Sequence, residues 1–328
     1  MTASHRRHED DHARLRRDPA LIVVCGEALV DIIPAGDDTR RPVPGGGPFN
    51  TARALARLGA PTSFMGRLST DAFGVMLAHE LTTDGADLSL VSYGPEPTTL
   101  AVAELDGDGL AEYEFYVHGT SAPNLLLEMV PAKLPADVNA LHIGTLGLVL
   151  EPMATTLVEV ARRESNDRLL MLDPNVRPQV VTDADEYRRR LDGLVAHSTI
   201  VKASESDLAW LRPQLDCEAA AGRMLDLGAR LVLVTLGSAG ALAVTSSGTV
   251  RVAAPEVEVV DTIGAGDAFG AGVLAWLHDH DTLRPDLVLD RDQLASMLGF
   301  ACLVAAITCT RAGADPPWRA ELNKGAPI

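Results

Sequence analysis

Basic residues are in short supply in this chain. It has 28 Lys and Arg against 45 Asp and Glu, a formal charge of −17. Such an acidic surface argues against nucleic acid and anionic membranes as partners. An anionic substrate would need a local positive site, such as a helix N-terminus or a bound cation. Cysteine is scarce as well. Cys25, Cys217, Cys302 and Cys309 show no C-x-x-C spacing, and three of them lie in apolar runs. They read as small buried hydrophobes of a cytoplasmic protein, with no disulfide framework. No apolar run reaches membrane-spanning length without interruption. The start of the chain, with His5, His8 and His12 among charged residues, lacks the hydrophobic core of a signal peptide. Residues 1–18 are expected to be a disordered polar tail. Two nucleotide signatures are also missing. The third glycine of G-x-G-x-x-G would fall on Phe269, and no Gly-Lys-Ser/Thr follows the glycines.

What is present is ample material for a core: 328 residues, 47% hydrophobic, with mean hydropathy +0.10. Residues 21–25 form a continuous apolar run ending at Gly26, which reads as a buried strand. Helical patterning follows over 50–58, closed by Gly59. Strands are expected at 62–65, 141–143, 169–172, 199–201 and 231–235, with helices at 72–83 and 152–163 among those between them. This alternation predicts an α/β fold with a mainly parallel sheet covered on both faces. Ligands then bind beyond the carboxyl ends of the strands. Asp31, Asp173, Ser204, Gly237 and Asp267 are each expected just after a strand. One region breaks the rhythm. Residues 98–105, the Asp106-Gly107-Asp108-Gly109 turn and 111–117 read as a hairpin with one apolar face. It should form a separate flap.

The most informative stretch is 261–272, Asp-Thr-Ile-Gly-Ala-Gly-Asp-Ala-Phe-Gly-Ala-Gly. It follows the β-branched segment 257–260 and runs into a helical one. Gly264, Ala265 and Gly266 let the backbone pass close to a ligand. A helix starting there would offer unpaired N–H groups and a positive dipole end to phosphate. Asp267 is the one carboxylate at the lip, and the helix end is expected to keep it ionised. An ordinary capped turn also accounts for the stretch taken alone. A second segment, Pro44-Gly45-Gly46-Gly47-Pro48-Phe49-Asn50, precedes a helix. Its glycines would admit a polar ligand, and Asn50 has both donor and acceptor for a sugar hydroxyl. Asp31 could accept from two adjacent hydroxyls.

These segments, in this order, resemble the PfkB, or ribokinase-like, carbohydrate kinases over about 23–322. Thr235-Leu236-Gly237-Ser238-Ala239-Gly240 and Thr310-Arg311-Ala312-Gly313-Ala314 match too. Asp173-Pro174-Asn175-Val176-Arg177 and Lys202-Ala203-Ser204-Glu205-Ser206-Asp207 look most like fructokinases. The resemblance implies a three-layer α/β/α kinase domain over 19–328, with lid segments at about 35–44 and 97–120. It implies ATP-dependent transfer to a primary hydroxyl of a small neutral sugar, and a homodimer through the lid is compatible with it. Other kinases of the family, for ketodeoxygluconate, ribose or nucleosides, and a non-catalytic binder on this scaffold are the alternatives. Asp267 would be the base, and Gly264, Ala265 and Gly266 the anion hole. Asp31, Gly45, Gly46, Asn50 and Arg177 would meet the sugar. Ser204, Thr235, Gly237 and Gly240 would hold ATP. Asp261, Ile263, Thr308, Arg311 and Gly313 fall where the family binds a monovalent cation, K⁺ here. Asp207 would serve Mg²⁺ through water.

Three departures stand out. Ser204-x-x-Asp207 replaces Asn-x-x-Glu. Val117, not Arg, follows Phe115-Tyr116 in the lid, which disfavours a carboxylate-bearing substrate. Phe49 replaces a small residue beside Asn50 and is expected to reshape the pocket. His278-Asp279-His280-Asp281 reads as a solvated helix end rather than a metal site. His142, in a short apolar strand, reads as a satisfied core histidine.

Overall fold

A computed structural model describes residues 20–35, 39–105 and 111–322. The expected polar tail and the 106–109 turn lie outside the described residues. Fourteen strands occur among them. In chain order they are β1 (Leu21–Cys25), β2 (Leu29–Pro34), β3 (Arg40–Gly45), β4 (Thr62–Met65), β5 (Arg67–Ser69), β6 (Ser92–Gly94) and β7 (Leu100–Leu105). Then come β8 (Ala111–Tyr116), β9 (Val138–Gly144), β10 (Leu169–Asp173), β11 (Ile200–Ser204), β12 (Leu231–Thr235), β13 (Ala241–Thr245) and β14 (Gly248–Val252). The helices that matter below are α1 (Gly47–Arg57), α2 (Ala72–Asp84), α3 (Met153–Glu164), α4 (Ala184–Val195), α5 (Glu205–Leu211), α6 (Cys217–Leu227), α7 (Ala265–Asp279) and α8 (Arg291–Cys309).

Eight strands form one sheet in the order β14-β13-β12-β11-β10-β9-β1-β4. From β4 to β12 all neighbours are parallel, and β13 and β14 add an antiparallel edge. The strands read as nearly unbroken apolar runs because both faces are covered. Successive side chains divide between two cores, as a period of two requires. Ile22 and Val24 join α1, α2, α7 and α8 on one face. Val23 and Cys25 join α3, α4, α5 and α6 on the other. The chain moves from β1 outward to β4, then returns to β9 on the far side of β1. The strand order therefore reverses between β1 and β9, and a crevice opens beyond their carboxyl ends.

A second sheet, β3-β2-β7-β8, stands apart. Its hairpin pairs Leu100 with Tyr116 and Ala103 with Tyr113. Its apolar face, with Leu29, Ala101, Tyr113 and Phe115, packs on Leu146. The sheet takes in more chain than the two segments read from sequence, because β2 and β3 belong to it. This corrects the position of Asp31, which sits within β2 and not at the end of a main-sheet strand. A second correction concerns the strand expected before Asp267, which would fall at 257–260. That segment is not a strand. Val259 and Val260 are exposed, and the Val260 and Asp261 N–H groups both donate to the Cys309 carbonyl. Helix α8 is long and apolar enough to span a membrane by length and composition. Half of its apolar window is buried, and Gly272 of α7 lets Ala301 approach closely. All four cysteines are free, with Cys25 and Cys302 buried.

Candidate active site

The chain turns left-handed at Gly264, φ 75°, and α7 begins at Ala265. The Ala265 N–H is turned back to the Thr262 carbonyl at 3.2 Å. The Gly264 and Gly266 N–H groups have no such partner among the described residues, so they are the open donors of the turn. Three residues on, Asp267 is buried, and its Oδ2 accepts from Asn50 Nδ2 at 2.9 Å. Burial raises the Asp267 carboxyl above its ordinary range, against the opposing pull of Asn50, Lys202 and Arg177. The helix end expected to keep Asp267 ionised is therefore opposed by burial.

Asn50 lies inside α1, whose cap position is Gly46, so it is not a capping residue. Its Oδ1 is buried without a partner among the described residues. An orphaned buried acceptor of this kind suits a ligand hydroxyl. Asp31 reaches the same space from β2. A Cβ placed on Gly45 would stand 2.2 Å from Asp31 Oδ2, so the glycine is what admits the carboxylate. Burial pushes Asp31 up to about 6, opposed by Arg177. Arg177 Nη1 donates to Asn175 Oδ1 at 2.8 Å and to the carbonyls of Asn175 and Val176. Together these groups line a cleft of about 540 Å³ with Glu27, Gly46, Thr145, Tyr113 and Phe115.

A second cleft of about 1040 Å³ adjoins it, lined by Ser204, Asp207, Thr235, Gly237 and Gly240 among others. Asn175, Thr262 and Gly266 border both clefts. The turn at 264–266 therefore stands at their junction. Ser204 and Asp207 form a capping box at the start of α5. Asp207 Oδ2 accepts from the Ser204 N–H and hydroxyl, and its Oδ1 accepts from the Val176 N–H. Three of its acceptor positions are spent inside the protein. This leaves Asp207 a structural clamp with one acceptor position unspent, the position a bridging water toward Mg²⁺ would use.

Asp261 joins the two segments expected to hold a monovalent cation. Its Oδ1 accepts from the Ile263 N–H and its Oδ2 from the Gly313 N–H. Thr308 is buried, and the Arg311 guanidinium is drawn off to Glu321 and Asp315. Asp261 thus ties the two segments together, while the Arg311 guanidinium is turned to carboxylates. Oxygen donors alone suit a hard cation.

Phe49 departs from expectation. It is fully buried in the core beneath Arg53, outside the residues that line the cleft. The Asn50 pocket is therefore not narrowed by it. His142 is buried, but neither ring nitrogen has a partner among the described residues, which corrects the reading of a satisfied histidine. Burial and Lys202 push its pKa down to about 3. His280 stacks on Trp276 at 3.8 Å.

Four contributors were given no role by the sequence. Glu27 is fully buried, accepts from the Gly47 and Gly147 N–H groups, and is pushed up by burial to about 8. It follows β1 directly, a position that could have flagged it. Thr145 and Asn175 hold left-handed backbones, φ 52° and 38°, and are joined by a 3.1 Å hydrogen bond. Such strain clusters at functional sites. Lys202 ends in a buried ion pair with Asp173 at 2.8 Å.

Comparison with known proteins agrees with this geometry. The profile of the pfkB family carbohydrate kinases matches residues 19–321. A fructokinase of Rhizobium leguminosarum bv. trifolii is 38% identical over 281 residues, 84% of each chain. The structure of a Xylella fastidiosa fructokinase with bound ATP superposes with a TM-score of 0.86 at 26% identity, covering 93% of this chain and 98% of that one. A Vibrio cholerae O395 fructokinase with fructose, ADP and calcium gives 0.80 at 28% identity, over 90% and 94%. With its paired clefts, its small-residue turn and this match over nearly its whole length, the chain belongs to the pfkB family of carbohydrate kinases.

Proposed function

We propose that this kinase transfers the γ-phosphoryl group of ATP to a primary hydroxyl of a small neutral sugar, with fructose the preferred acceptor. The observation that carries the reading is Asp267, a buried carboxylate held by Asn50 at the junction of the two clefts. The names of the fructokinases above supply the acceptor.

Asp31 and Asn50, with the backbone at Gly45 and Gly46, orient the sugar hydroxyls. Asp267 accepts the proton of the attacking hydroxyl, and its raised pKa makes it a better base than a solvated aspartate. The Gly264 and Gly266 N–H groups take up charge on the phosphoryl oxygens, with Ala265 shaping the turn. Ser204, Thr235, Gly237 and Gly240 form the nucleotide wall. The carbonyls of Asp261, Ile263, Thr308, Arg311 and Gly313 would hold K⁺ and stiffen the turn from below. The small sheet acts as a lid. Tyr113 and Phe115 bring an apolar wall over the sugar and exclude water.

The lid hairpin offers no Arg after its aromatic pair to a sugar acid, because Val117 stands there. Arg177 is the only cationic side chain lining the sugar cleft among the described residues. An unpaired carboxylate buried there would be strongly disfavoured. The expected result is a higher kcat/KM for fructose than for ketodeoxygluconate, measured by coupled ADP release. A clear preference for the acid, abolished by Arg177→Ala, would leave a kinase but overturn the neutral sugar. In the same assay K⁺ should raise the rate over Na⁺ at matched ionic strength. Equal rates in the two salts would remove the cation site.

A further inference from the structure

The nucleotide cleft holds a cation with no part in the scheme above. Lys202 is only 3% exposed, and its Nζ lies 2.8 Å from Asp173 Oδ2. The ammonium nevertheless reaches the cleft wall. A Cβ placed on Gly266 would stand 3.1 Å from Nζ, so the charge lies directly against the backbone of the anion turn. Every other charged side chain lining that cleft, among the described residues, is a carboxylate: Glu205, Asp207 and Glu256. A triphosphate brought into such a place meets like charge unless a cation intervenes. Burial works against the Lys202 charge, but Asp173, Asp267 and Asp207 outweigh it and keep the ammonium protonated.

The pair is built unevenly. Asp173 Oδ2 has Lys202, yet Asp173 Oδ1 is buried without a partner among the described residues. A salt bridge retained for stability alone is expected to satisfy both oxygens, because a half-satisfied buried carboxylate is costly. Lys202 therefore has an incomplete partner on one side and the open nucleotide cleft on the other.

We propose that Lys202 binds the phosphates of ATP at the point of transfer, and that Asp173 holds its ammonium in place until the nucleotide arrives. This rests on the reading of the larger cleft as the ATP site. It makes Lys202 a catalytic residue and Asp173 a positioning residue that competes with the nucleotide for it.

The competition gives opposite signs to two substitutions. Binding of the β,γ-imido analogue of ATP, measured by calorimetry, should weaken by about 10-fold or more in Lys202→Met. In Asp173→Asn it should tighten, because Lys202 is released and a nearby negative charge is gone. The KM for ATP should follow the same two directions, while the KM for fructose stays within a few-fold. A purely structural pair predicts weaker binding in both variants. Loss in both, or parental affinity in a folded Lys202→Met, would overturn the proposal. If Lys202→Met does not fold, the double variant Asp173→Asn/Lys202→Met leaves no uncompensated charge and takes its place with the same weakened binding expected. Failure of the underlying kinase reading would show separately, as absence of fructose-dependent ADP release in the parent protein.

Discussion

Asp267→Asn should lower sugar-dependent turnover by about 10²-fold or more while leaving ATP binding largely intact. The substitution keeps the size of the side chain, and an amide oxygen can still accept from Asn50. What it removes is the ability to take a proton. Loss of fold cannot mimic the result. The folded-state pKa of Asp267 is raised, chiefly by burial, so its charged form is the less stable one above the unfolded pKa. That cost grows as pH rises through the window between the two pKa values. A neutral isostere escapes it, so Tm at neutral pH should stay level or rise. Steady-state turnover, nucleotide calorimetry and a melting curve together check the claim. Turnover within a few-fold of the parent would sink the assignment of Asp267 as base.

A second large effect is expected at Gly264. Its φ of 75° is left-handed, and a Cβ there would come within 2.6 Å of the Ala314 Cβ and 3.0 Å of the Ala314 Cα. Gly264→Ala therefore meets two penalties, a backbone cost of about 1–2 kcal/mol and a collision with the chain that follows α8. Relief requires the turn to move. A displacement of the order of 1 Å at the reacting centre can cost about 10²-fold in rate. Gly59 supplies the control. It has a similar φ of 79°, but nothing lies within 4 Å of a Cβ placed on it. Gly59→Ala should lose stability of the same order and keep its turnover. Comparing kcat and Tm for the pair separates strain from damage to the anion turn. If Gly264→Ala retained turnover like Gly59→Ala, the turn would not be part of the catalytic machinery.

The fold was legible where burial on both faces left its mark on the strands. The runs at 21–25, 169–172 and 231–235 appear as β1, β10 and β12 with boundaries shifted by at most one residue. The small sheet was half legible. Its hairpin shows alternation, whereas β2 and β3 carry too mixed a pattern, Leu-Val-Asp-Ile-Ile-Pro and Arg-Arg-Pro-Val-Pro-Gly, to reveal a second sheet. The segment 257–260 misled for the opposite reason. Its β-branched residues have strand propensity, but no strand among the described residues pairs with them, and tertiary context overrides propensity.

At the site, motifs marked residues whose backbone must be special, such as Gly264 and Gly45. They did not mark side chains whose role depends on partners distant in sequence. Glu27 meets Gly147 across 120 positions, and Lys202 meets Asp173 across 29. For Asp207, spacing shows its distance from Ser204 but not that both of its oxygens are already engaged. Phe49 was misread because adjacency to Asn50 does not fix direction. On a helix, neighbouring residues point about 100° apart, and Phe49 faces the core.

The most direct test of the account is product analysis with the parent protein, ATP and fructose. ADP release should be fructose-dependent and matched one to one by sugar phosphate, with NMR placing the phosphate on a primary carbon. Release of ADP without phosphorylated sugar, or phosphate found on a secondary hydroxyl, would contradict the placement of Asp267 beside the attacking group.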